Sequence, residues 1–202
     1  MVVLVVLAGC KDDSAGTTDP KEAAAPRPLA GIYPEKWQCD SIAPLAALGA
    51  VLGGTVKPID TPASVPRGVP RPCNYELQAR EPEIWTFDLD CRDGMKQRAD
   101  ALFAQYQANS RELVQRYDTL ADAGIKPSDA GTEAHAPALA VEVFVGAKAL
   151  DHHGQGLLFI DDDAPCYVRV VGKDAARRLE LAKLLAKNLT FANAPMAPRA
   201  FP

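Results

Sequence analysis

The sequence predicts an α+β domain: a mostly antiparallel sheet of two hairpins, packed by a long amphipathic helix and a C-terminal helix. Three observations carry this expectation. Apolar and polar residues alternate over residues 73–77 and 84–91, the two-residue period of strands with one buried face. Met95, Ala99, Leu102, Phe103, Tyr106, Leu113, Tyr117 and Leu120 recur at three- and four-residue steps between Asp93-Gly94 and Gly124, which is the period of one helix face. Strand runs and helical runs are also grouped, strand-strand-helix twice over, rather than strictly alternating as in a parallel α/β sheet.

Taken in order, residues 1–9 form an uncharged apolar run that ends in Leu7-Ala8-Gly9-Cys10, and the residues after it, Lys11-Asp12-Asp13-Ser14, cannot pack as a core. The run is about half the roughly 20 residues that a membrane-spanning helix needs, and no second apolar stretch of that length follows. Its rival reading is a buried strand carrying an accidental cysteine. No Lys or Arg precedes the run, whereas secretory signals carry a positive segment there, so the natural start is expected a few codons upstream. The Leu-Ala-Gly-Cys pattern resembles the lipobox of bacterial lipoproteins. That resemblance implies a signal peptide over 1–9, a diacylglyceryl thioether on Cys10, and cleavage that leaves Cys10 as the first mature residue. It makes membrane lipid a partner through Cys10 acylation and places the protein in the cell envelope. Lys11 follows the cysteine where Asp does not, so the outer membrane is favoured if the cell is Gram-negative. Each buried methylene of a palmitate-type chain contributes about 0.8 kcal/mol, so several chains on one residue make a permanent anchor.

Residues 10–35 are rich in Ala, Pro, Thr and Asp without apolar periodicity, and are expected to be a disordered, lipidated tether. A single domain is expected over 36–192. It opens with a helix near Cys39-Asp40-Ser41-Ile42-Ala43-Pro44-Leu45, with Ser41 as N-cap, Pro44 in the first turn and Gly53-Gly54 as the stop. Residues 57–72 contain Pro58, Pro62, Pro66, Pro70 and Pro72, too dense for a helix or a central strand, and read as a stiff loop. The first hairpin, 73–77 with 84–91, follows, then the long helix. Its outer face carries Lys96, Arg98, Asp100, Arg111, Glu112 and Arg116 and reads as solvated. A polar stretch leads to strand character at 139–145, then to a segment from Gly146 to Gly156. The second hairpin pairs Leu157-Leu158-Phe159-Ile160 with 166–172 across Asp161-Asp162-Asp163-Ala164-Pro165. Asp174 caps a last helix whose Leu179, Ala182, Leu185, Ala186 and Leu189 form one stripe, and residues 193–202 are expected to fray as a disordered tail.

Five cysteines are present; setting Cys10 aside for lipidation leaves Cys39, Cys73, Cys91 and Cys166, the even number expected of two disulfides outside the cytoplasm. Four cysteines allow three connectivities. Cys39 with Cys73 and Cys91 with Cys166 is preferred, since the first ties an early helix to a strand and the second ties two strand ends. Cys73 with Cys91 across the hairpin is the rival.

Chemistry is sparsely signalled. Net charge is −4 and the basic residues are scattered, which argues against nucleic acid as a partner. No Gly-x-Ser-x-Gly, Ser-x-x-Lys or His-Glu-x-x-His occurs, so no catalytic residue and no cofactor is assigned. His152 and His153 beside Asp151, with the run Asp161-Asp162-Asp163, supply metal-ligand types. Adjacent histidines in extended chain point to opposite faces, however, and the Asp run lacks the spacing of an EF-hand. A metal is therefore not assigned. Two functions remain: a non-enzymatic binding or assembly module that holds an envelope protein or a small ligand, and a metal-dependent or hydrolytic envelope enzyme using His152, His153 and Asp161 to Asp163. For the first, His152, His153 and Gln155 are the recognition residues, on a loop beside a strand stapled by Cys166.

The order of tether, Cys-Asp-Ser-Ile-Ala-Pro-Leu segment ending in Gly-Gly, Pro-rich loop, Cys-Asn-Tyr strand, Gly-x-x-Ala segment, Cys-bearing strand and Ala/Leu-rich helix is similar to small uncharacterised exported lipoproteins best represented in actinobacteria. It covers most of residues 36–190, apart from the long helix after Cys91. The resemblance implies an α+β envelope domain without known catalytic residues.

Overall fold

A computed structural model describes residues 28–123, 139–152 and 154–201. Along the chain come strand β1 (Leu29–Ala30), a 3-10 turn (Cys39–Ser41), helix α1 (Leu45–Leu52), and strands β2 (Thr55–Ile59), β3 (Cys73–Gln78) and β4 (Glu83–Asp90). Helix α2 (Met95–Asp122) is followed by β5 (Val141–Val143), β6 (Lys148–His152), β7 (Gly156–Ile160), β8 (Tyr167–Val171), helix α3 (Ala175–Asn188) and β9 (Arg199–Ala200). The α+β class holds.

Seven strands form one sheet in the order β2-β3-β4-β8-β7-β6-β5, every neighbouring pair antiparallel. It is two meanders, β2 to β4 and β5 to β8, joined where β8 docks on β4. Both expected hairpins are present, and the sheet adds strands that local pattern missed. Thr55–Ile59, assigned in part to the Pro-rich loop, is an edge strand, where Pro58 lies opposite Tyr75 and the sheet tolerates its missing N–H. Lys148–His152, assigned to a loop segment, pairs with β7.

The two faces are covered unequally. On one, α1, α3 and the segment around Trp37 bury Val56, Tyr75, Leu77, Trp85, Phe87, Leu89, Leu157, Phe159, Val168 and Val170. On the other, Met95, Ala99 and Phe103 of α2 cover only Leu150, Leu158, Ile160 and Tyr167. Strand β7 is thus enclosed on both faces, which explains its unbroken Leu157-Leu158-Phe159-Ile160 run. Strands β3 and β4 alternate because one face alone is covered. Beyond Ser110 the α2 stripe outruns the sheet and leaves Leu113 and Leu120 exposed.

Local signals set the helix ends with one shift. Gly53 stops α1 in the left-handed conformation at φ 76°. The Asp174 side chain accepts from the Arg177 amide at 2.8 Å and caps α3. Ser41 is not the N-cap of α1; it closes a 3-10 turn through its hydroxyl to Gln38 O, and α1 starts after Pro44.

The expected disordered tail at 193–202 is tied down over its described residues. Strand β1 pairs with β9, Ile32 N donates to Ala194 O at 2.9 Å, and Trp37 Nε1 donates to Asn193 O at 3.0 Å. Ala194 and Met196 are buried beside Ala30 and Trp37, so apolar burial and backbone pairing hold both terminal segments. Ordered chain accordingly begins ahead of residue 36.

Both disulfides take the preferred pairing, Cys39 with Cys73 and Cys91 with Cys166, across sequence separations of 34 and 75. The first fastens the 3-10 turn to β3. The second sits one step beyond the Asp90 to Tyr167 register and locks β8 onto β4. At the other end of that junction, a Cβ on Gly172 would lie 2.2 Å from the buried Trp85 ring.

Reduction and alkylation of the folded chain should lower its urea midpoint markedly, since each disulfide typically contributes about 2–4 kcal/mol. An unchanged midpoint would show that the bridges do not hold this fold. Gly172→Ala should cost about 1–3 kcal/mol by overpacking against Trp85, read from the same denaturation curve.

Candidate functional site

Of the residues expected from sequence to recognise a ligand, His152 ends β6 with 6% exposure. It packs under α2, its ring 6.0 Å from that of Tyr106. It is an element of the interior rather than of an open loop. Gln155 is exposed in the turn that follows, its backbone N–H donating to His152 O. His153 and Cys10 lie outside the described residues.

His152 and the run Asp161 to Asp163 are not brought together. His152 pairs with Gly156, whereas Asp161 follows Ile160, at the Lys148 end of the same ladder, so the two groups stand at opposite ends of β7, roughly 15 Å apart. Among the described residues no group of three His, Cys, Asp or Glu side chains is placed to hold a metal ion. The Asp run instead shapes the turn between β7 and β8. Asp161 Oδ2 accepts from the amides of Asp163 and Ala164 at 3.1 and 2.7 Å, and Asp163 Oδ2 accepts from Phe191 N at 2.9 Å.

Asp161 is fully buried and its Oδ1 has no partner among the described residues. Burial pushes its pKa up to about 6, the nearby negative charges of Asp162 and Asp163 add to this, and the two amide donors oppose it.

The uncovered half of the sheet borders α2 in a cleft of about 280 Å³. Arg169 on β8 donates through Nε and Nη2 to Asp88 on β4 at 2.9 and 2.8 Å. Arg92 forks onto both oxygens of Asp90, at 2.9 and 2.6 Å. Burial raises the Asp88 pKa against the pull of Arg169. Burial likewise raises that of Tyr167, whose hydroxyl is bonded to Tyr106. These groups largely satisfy one another and read as a structural network at the β4/β8 junction.

A second pocket, of about 480 Å³, opens at the corner where the terminal segments meet. Its walls come from four stretches: residues 33–35, the loop crown at Arg67-Gly68, residues 91–93 after β4, and residues 196–199. Three guanidinium groups line it. Arg92 is fixed by Asp90, which keeps it firmly charged. Arg199 donates to Asp93 at 2.8 Å while lying 5.3 Å over the Phe191 ring. Arg67 is exposed and makes no hydrogen bond or ion pair among the described residues. Glu35 and Asp93 are the opposing carboxylates. Guanidinium forks match the geometry of phosphate and carboxylate oxygens, so the pocket can hold an anion.

Sequence reasoning missed all three arginines. The available signal was Pro66-Arg67-Gly68-Val69-Pro70-Arg71-Pro72, where proline stiffens a loop that presents basic side chains. No protein-family model, no curated protein and no solved structure matches this chain.

Asp161→Asn tests the buried turn. A folded pKa above the ordinary aspartate value of 3.8 means the native state holds the proton more tightly. The wild-type residue therefore weakens the fold increasingly as pH rises from about 4 to about 6, and fully above that. Asn keeps the acceptor for the two amides and removes the charge. It should raise the melting temperature at neutral pH, with the gain vanishing near pH 4; an equal gain at both would overturn the assignment.

Proposed function

We propose that this chain is a cell-envelope lipoprotein: Cys10 carries the lipid, and the domain behind it is a non-enzymatic binding module. One observation carries the reading. The two disulfides use Cys39, Cys73, Cys91 and Cys166 among themselves, so of five cysteines Cys10 alone is left over, in a Leu-Ala-Gly-Cys setting. Paired cysteines are the mark of an oxidising compartment, and a single cysteine behind a short apolar run suits acylation. Envelope placement, outer-membrane sorting through Lys11 and a membrane-lipid partner belong to the same proposal.

The corner pocket supports binding over catalysis. Its polar groups are chiefly guanidinium donors, which hold and orient an anion but do not exchange protons near neutral pH. The His152, His153 and Gln155 surface loses weight as a recognition site, because His152 is enclosed under α2.

Cys10→Ser should move the protein from the salt-washed membrane to the soluble fraction and abolish incorporation of labelled palmitate. A variant that stayed in the membrane after the salt wash, or a wild-type chain that took up no label, would end the lipoprotein reading.

A further inference from the structure

We propose that the corner pocket is a phospholipid headgroup site: Arg67, Arg92 and Arg199 hold the phosphate of an anionic lipid, and the domain lies against the membrane from which its tether emerges. The inference deepens the lipoprotein reading and rests on it for the choice of membrane. Headgroup capture is tested apart from acylation.

Three observations carry it. The first is place. Strand β1 begins at Leu29, and the pocket wall begins at Tyr33 only a few residues on. The 17 residues from 11 to 27 span at most roughly 60 Å even when fully extended. A lipid on Cys10 therefore keeps the start of β1, and the corner beside it, within about that distance of the bilayer.

The second is charge. The chain as a whole carries a net −4, yet this pocket gathers three guanidinium groups against two lining carboxylates, with Arg67 unengaged among the described residues. Asp90 and Asp93 orient Arg92 and Arg199 without enclosing them, since their side chains remain 39% and 43% exposed. An anion arriving from solvent meets donors already in position.

The third is the apolar surround. Leu29, Tyr33 and Phe201 are exposed by 65%, 51% and 47%. Leu29 lies opposite Ala200 in the terminal ribbon, beside Phe201, whose ring leans on Phe191 under Arg199. Aromatic and aliphatic side chains next to arginines suit the headgroup boundary, where apolar groups enter and cations face phosphate. Free phosphate would use the arginines and leave these side chains without purpose.

The test uses the full chain carrying Cys10→Ser, disulfides intact, co-sedimented with vesicles of pure phosphatidylcholine or of phosphatidylcholine mixed with phosphatidylglycerol. Binding should require phosphatidylglycerol and weaken with added salt. Arg67→Ala with Arg199→Ala should weaken it about thirtyfold, while Arg116→Ala with Lys183→Ala, the same charge removed elsewhere, should leave it unchanged. Melting curves confirm that both variants fold. Equal binding to the two vesicle types, or an unaffected arginine variant, would overturn the proposal. So would inorganic phosphate that occupied the pocket while the vesicles did not bind. Vesicle binding by a chain that proved not to be acylated in cells would keep the headgroup site and remove the anchor.

Discussion

The docking of β8 on β4 is the constraint on which the rest of the structure depends. It joins two meanders that are otherwise separate in sequence, and it is fixed at both ends. Cys91 and Cys166 lock one end covalently, and Gly172, which has no side chain, admits the Trp85 ring at the other. Between them Asp88 and Arg169 face each other in register on the open side of the sheet. A slip of one residue would send Trp85, Phe87 and Leu89 to the uncovered face, so the pairing is held by burial as well as by the crosslink.

From that junction the layers follow. With β8 central, β7 becomes an inner strand, and α2 and α3 close over its two faces. Helix α3 is further tied to β6 by Arg178, which is 6% exposed. It donates to both oxygens of Asp151 at 3.0 and 2.8 Å and to Gly172 O at 2.7 Å. A buried guanidinium so fully bonded is costly to disrupt, and it orients α3 relative to the junction itself. Because α2 reaches only β6 to β8, half of one sheet face keeps its polar side chains, and the Asp/Arg pairs there are satisfied by each other.

The corner pocket is a consequence of how the termini are stored. Residues 28–37 and 190–201 bury Ala30, Trp37, Ala194 and Met196 between them, and in doing so bring Arg199 beside Arg92 and under the loop that carries Arg67. These segments, with Arg92 just after β4, thus make the most cation-rich concavity described, close to where the described chain begins.

Where local chemistry sufficed, the sequence by itself determined the outcome. The three- and four-residue steps from Met95 to Leu120 set α2, Gly53 and Asp174 set a helix end and a helix start, and the alternation in β3 and β4 set a one-sided sheet. Such features depend on neighbours within a few residues, so they survive without knowledge of the fold. The pairing of Cys39 with Cys73 and Cys91 with Cys166 was preferred on strand placement, but choosing it over its rival needed the register of β4 against β8. Tertiary structure alone decided that Pro58 sits in an edge strand, that Lys148–His152 is a strand, and that His152 is enclosed by Tyr106. It alone drew Arg67, Arg92 and Arg199 into one pocket. Strand partners, burial and convergent side chains are contacts between residues far apart in sequence, formed when many weak preferences are satisfied together, and no short window of residues contains them.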